Sequence, residues 1–98
     1  MMDREIILDG NRVQSTDDFH DLLSQILDFG PYYGRNLNAL WDRLSTDVER
    51  PIKIIWLNSE LSKKYLGEYF DKIIQIFEET RQQDIKLNWD EKFDYVLK

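Results

Sequence analysis

Residues 32–42, YYGRNLNALWD, gather one carboxylate, two tyrosines, a cation and two amide side chains around a glycine. A carboxylate such as Asp42 can serve as a base in a deep pocket, or as a fixed anion offered to a cationic partner. Catalysis asks for further groups that the chain does not supply. There is no cysteine, one histidine, and none of the G-x-S-x-G, G-x-x-x-x-G-K-[ST] or G-x-G-x-x-G patterns. The neighbouring carboxylates Asp17-Asp18 and Glu78-Glu79 point apart on a helix and mark a solvated face. His20 lacks a second ligand one turn on and lies off the apolar stripe of its segment, which predicts a solvated helix residue. No enzyme, metal site or cofactor is expected, and Asp42 is read as a binding group.

The elements that must position this stretch follow from spacing. Gly34 is expected to take a positive φ and reverse the chain after Tyr32 and Tyr33. Asn36 is placed to cap a short helix whose apolar side is Leu37, Leu40, Trp41 and Leu44, leaving Asn38, Asp42 and Arg35 outward. Upstream, residues 5–8 read as a strand closed by the Asp9-Gly10 turn. Ser15 and Asp18 match a capping pattern before a helix with Phe19, Leu22, Leu23, Ile26 and Leu27 on one face, ended by Gly30-Pro31. Downstream, Pro51 opens a strand over 52–57. Residues 58–67 read as a short helix capped by Asn58 or Ser59, and Gly67 separates it from a longer one with Phe70, Ile73, Ile74 and Phe77 inward. The alternation of Ile85, Leu87 and Trp89 with Lys86 and Asn88 predicts a third strand. The tail 90–98 is left open between an added strand and a short helix.

The predicted fold is therefore α/β: one domain over 1–98, with a three-stranded parallel sheet packed in two layers against about four helices. Trp41, Trp56, Phe19, Phe70 and Phe77 are expected in the core, and Tyr32 and Tyr33 at a partner surface. The 98 residues carry 19 acidic and 13 basic side chains, for a formal charge of −6. The basic residues are scattered, so direct nucleic acid binding is not expected, whereas a basic protein is a plausible partner. No membrane-length apolar run or signal-peptide pattern is present, and with no cysteine this predicts a cytoplasmic protein.

The segments ILDG at 7–10, DDFHDLL at 17–23, YYGRNLNALWD at 32–42, VERP at 48–51, SELSKK at 59–64 and IFEE at 76–79 stand in the order found in the barstar family, which the chain resembles. The resemblance spans all but the tail. It implies a small parallel sheet against helices, a cis proline before the second strand, and an intracellular inhibitor (immunity protein) that is a monomer when free. Such an inhibitor would fill the active site of a small basic ribonuclease or nuclease toxin domain in a 1:1 complex. By the same resemblance Asp42 takes the place of a substrate phosphate, Tyr32 packs on the nuclease histidine, Asn36 makes polar contacts beside it, and Glu79 reaches a basic side chain. Tyr33, Arg35, Asn38 and Asp47 complete the expected partner-binding set. Three of the positions depart from the family pattern: Arg35 replaces a glutamate, Asn38 an aspartate and Asp47 a tryptophan. The alternative is a non-inhibitory binding module of the same fold with another basic protein as partner.

Overall fold

The computed structural model describes residues 4–88 and 90–98. Strand β1 (Arg4–Asp9) runs into a 3-10 turn at Gly10–Arg12, followed by helices α1 (Thr16–Leu27) and α2 (Leu37–Thr46). Strand β2 (Ile52–Leu57), helices α3 (Ser59–Leu66) and α4 (Glu68–Lys86) and strand β3 (Phe93–Leu97) complete the chain. The three strands form one parallel sheet in the order β1-β2-β3. This is the α/β, two-layer architecture of three strands and four helices that the periodicity predicts, with β2 at the centre.

Alternation fixes which side of the sheet the helices cover. Ile52, Ile54 and Trp56 of β2 are buried, whereas Lys53, Ile55 and Leu57 between them are half-buried. The register brings Leu8 beside Trp56 and Ile52 beside Phe93, so one face of all three strands meets the helices. Trp56 is the centre of that layer. Its indole stacks on Phe19 of α1 at 5.4 Å and meets the edge of Phe70 of α4 at 5.1 Å. Its Nε1–H donates to Ser62 Oγ, which in turn donates to the Gly10 carbonyl, so no polar atom in this wall is left unpaired. Gly10 must be glycine here, because a Cβ would run into the carbonyls of Leu57 and Asn58.

The third strand lies further along the chain than the alternation at 85–89 predicts. Ile85 and Lys86 end α4, Leu87 and Asn88 form a turn, and Trp89 lies outside the described residues. The reason is the helical repeat. Phe70, Ile73, Phe77, Thr80 and Asp84 are all buried and follow three- and four-residue spacing, so the helix continues to its last turn and leaves Ile85 and Leu87 about half exposed. A buried Asp84 hides this continuation from a hydrophobic count. Its carboxylate accepts the Arg50 guanidinium and the Phe93 N–H, which fixes where β3 begins. Within β3 the Tyr95 N–H is taken by the neighbouring Asp94 carboxylate. The Arg50–Pro51 peptide bond ahead of β2 is cis.

Candidate functional site

The connection from α1 to α2 begins at Asp28, whose left-handed backbone (φ 55°) ends α1 three residues before the predicted Gly30-Pro31 stop. Phe29 then turns into the core and Tyr32 turns out, 91% exposed. Tyr33 does not share that surface. Its ring is buried and its phenol lies 2.7 Å from His20 Nδ1, while Tyr69 of α4 reaches His20 Nε2 at 2.6 Å. Both residues correct the sequence expectation: His20 is an interior residue and Tyr33 an anchor beneath the surface. A helix that receives a folded-back loop buries a wider arc than its apolar residues mark, and the histidine's two nitrogens are satisfied by two phenols, one donating and one accepting. Burial first, then the nearby Arg35 charge, lowers the His20 pKa; Asp17 and Asp21 oppose this. Burial raises the pKa of Tyr33, and of Tyr69 as well.

The reversal at Gly34 also works differently from the sequence expectation. Arg35, not Gly34, carries the positive φ (55°). Gly34 serves closeness instead: a Cβ there would stand 3.1 Å from the Ala39 Cβ, so the turn and the start of α2 would have to part by a few tenths of an ångström. Asn36 caps α2 as expected: its Oδ1 accepts the Ala39 N–H at 2.8 Å, and its Nδ2 donates to the Gly34 carbonyl at 3.2 Å. One side chain thus ties the turn to the helix start.

Helix α2 buries Leu40 and Leu44 and presents Asn38 and Asp42, one turn apart, to solvent. Trp41 is not the core residue that its spacing predicts. It is only half-buried and lies outside the core cluster, adding apolar area beside Asp42. The Asp42 backbone carbonyl accepts from Ser45 and Thr46, whereas its carboxylate has no hydrogen bond or ion pair among the described residues.

Several other charges of the loop and the two helices are engaged. Arg35 pairs with Asp21 at 2.9 Å and Asp17 at 3.5 Å. Asp47, at the end of α2, pairs with Arg43 at 3.4 Å, and Arg43 also covers the Phe29 ring. Glu79 is exposed on α4, the helix against which α2 packs, and accepts from Gln75 one turn earlier. Tyr32, Arg35 and Asn36 thus share one loop, Asn38 and Asp42 share one helix face, Glu79 stands on the adjoining helix, and Tyr33 lies below. Sequence reasoning missed this pairing of Arg35 with Asp17 and Asp21: their one-turn spacing marks a shared helix face, but the cation lies on a different segment of the chain.

Among the described residues no group of three His, Cys, Asp or Glu side chains could hold a metal ion, and no helix is long and apolar enough to cross a membrane. The candidate site is the exposed polar-aromatic surface of the loop and α2. Comparison with known proteins gives it a context. A Bacillus subtilis (strain 168) protein named "Putative ribonuclease inhibitor YrdF" is 40% identical over 80 residues, which covers 82% of this chain and 88% of that protein. The family described as "Barstar (barnase inhibitor)" matches residues 4–97. With the fold, the order of its segments and this match in agreement, the chain belongs to the barstar family.

Proposed function

We propose that this protein binds a small basic ribonuclease and blocks its active site, in a 1:1 complex formed inside the cell, with Asp42 seated where the enzyme holds a substrate phosphate. The observation that carries the reading is the Asp42 carboxylate: exposed on a capped helix and without a partner among the described residues, while Asp17 and Asp21 of α1 and Asp47 at the end of α2 are paired. A nuclease site is built to stabilise phosphate charge. A carboxylate on a preorganised helix offers that charge with no bond to cleave.

Family membership supports an inhibitor rather than an enzyme, and the formal charge of −6 suits a basic target. Tyr32 supplies a rigid ring at the loop tip, half-exposed Trp41 a second apolar contact, and Asn36 and Asn38 polar contacts around Asp42. Glu79 and Asp47 stand at the edge of this surface, where rim charges act mainly on the association rate.

The test is RNA cleavage by barnase, titrated with the wild-type chain and with Asp42→Ala. Stoichiometric loss of cleavage, relieved by the substitution, supports the proposal. A complex that leaves cleavage intact would favour a non-inhibitory binding module, and no complex with barnase or related basic ribonucleases would remove the reading.

A further inference from the structure

Tyr32 is 91% exposed and makes no hydrogen bond among the described residues, so the backbone beneath it must set its place. That backbone is anchored on one stripe of α1. Asp17, His20 and Asp21 follow i, i+3, i+4 spacing and share a helix face. The loop meets this stripe twice: Tyr33 hydrogen-bonds His20 in the interior, and Arg35 reaches Asp21 (2.9 Å) and Asp17 (3.5 Å) at the surface. Between the anchors the chain passes Gly34, pressed against Ala39, and immediately after them Asn36 caps α2. Two aspartates one turn apart repel each other, and a guanidinium shared between them removes that repulsion. Arg35 adopts its positive φ in making this contact, a conformation disfavoured for a side chain with a Cβ.

From this arrangement we infer that Arg35 is a positioning residue: by bridging Asp17 and Asp21 it holds the 28–36 connection so that Tyr32 and the capped end of α2 are presented to the ribonuclease in one arrangement. The inference rests on the proposed function for its consequence, though the tether itself is a property of the free chain. Half-exposed ion pairs contribute little to global stability, so the effect falls on the population of loop conformers and not on the fold. Apparent affinity scales with the competent fraction, and a fall in that fraction to between about a third and a tenth weakens binding about three- to tenfold.

Charge makes the test discriminating. Arg35→Gln renders the surface more negative, and steering alone would then strengthen binding to a basic enzyme; the tether predicts the reverse. Association and dissociation rates with barnase are to be measured for the wild type, Arg35→Gln, Arg35→Lys, Asp17→Asn with Asp21→Asn, and the triple variant. Backbone order parameters of residues 32–36 are followed by nitrogen NMR relaxation in each free protein. The expected result is about three- to tenfold weaker binding for Arg35→Gln and for the aspartate pair, no further loss in the triple variant, partial rescue by Arg35→Lys, and lower order parameters at 32–36 with an unchanged thermal midpoint.

Two outcomes on barnase overturn the inference: Arg35→Gln binding as tightly as wild type, or the aspartate pair binding normally while Arg35→Gln does not, which would make Arg35 a direct contact. If wild type does not bind barnase, the proposed function fails on that enzyme and the order parameters decide the tether alone. Unchanged order parameters at 32–36 in Arg35→Gln refute it.

Discussion

Arg50 grips Asp84 with two guanidinium nitrogens, Nε at 2.8 Å and Nη2 at 3.2 Å, across a sequence separation that joins the start of β2 to the end of α4. The aspartate is fully buried, and it also accepts the Phe93 N–H at 2.7 Å, so one carboxylate holds α4, β3 and the segment before β2 together. The Arg50 Nη1 donates to the Val48 carbonyl, extending the tie to the end of α2.

Removing the carboxylate leaves a largely buried guanidinium and a buried amide short of their acceptor. Asp84→Ala is therefore expected to lower the unfolding free energy by about 3–5 kcal/mol, the range for breaking a buried pair from one side. Urea unfolding followed by tryptophan fluorescence measures it. A loss under about 1 kcal/mol would mean that the pair is not a structural tie.

The Asn36 cap should matter for both folding and binding. Asn36→Ala removes the acceptor of the Ala39 N–H and the donor to Gly34, and is expected to cost about 0.5–2 kcal/mol of stability. Asn36→Asp keeps the cap oxygen and should lose less. Equal losses in the two variants would show that the cap bond is not the source of the effect.

His20 gives the protein a pH dependence of definite sign. Its folded pKa lies below the ordinary 6.5 because burial and Arg35 disfavour the imidazolium, so the unfolded chain takes up the proton more readily. The contribution is complete above about pH 6.5 and is lost as pH falls through the lower folded value. Glu78 acts in a lower window. Hydrogen bonds from Gln82 and then Tyr95 hold it below its ordinary 4.5, and its contribution is present above that value and lost as pH falls through the folded pKa. Stability from urea midpoints at steps between pH 7.5 and 5 should fall in the wild type and flatten in His20→Gln. The same slope in both proteins would remove His20 as its cause.

Position 38 should set association kinetics. Asn38 is exposed one turn before Asp42, and Asn38→Asp adds a negative charge to the surface proposed to meet a basic enzyme. Association with barnase is expected to rise at low salt, with the gain shrinking as ionic strength increases. A gain confined to dissociation and insensitive to salt would place Asn38 outside the interface.

Much of this molecule was legible because burial follows period. The span of β2, the Ser15 and Asn36 caps, and the break at Gly67 stand where spacing and cap chemistry put them. Elements that rely on polar burial were not legible. Ile85 and Leu87 mimic a strand because Asp84, the residue that shows the helix continuing, is charged and buried only by virtue of Arg50. His20 and Tyr33 were misplaced for a related reason: each is polar alone and is satisfied in the interior by residues distant in sequence, Tyr33 by His20 and His20 by Tyr33 and Tyr69. Trp41 followed the apolar stripe of α2 and yet lies at its margin, half-buried and outside the core cluster. Of the site, the cap and the outward aspartate could be read, and the i,i+4 pair of Arg43 with Asp47 lay within reach of spacing, whereas the pairing of Arg35 with Asp21 and Asp17 required three dimensions.

The amides of β3 have a bearing on life at high concentration. Lys98 donates to the Trp56 carbonyl, so along β3 the even-numbered N–H groups face β2 and those of Phe93, Tyr95 and Leu97 face away from it. Two of these three outward donors are already occupied, that of Phe93 by Asp84 and that of Tyr95 by Asp94. A foreign strand sliding alongside would find carboxylate oxygens at two of the places where it needs free hydrogens. Such an edge resists sheet-to-sheet growth, the route by which small parallel sheets turn into fibrils.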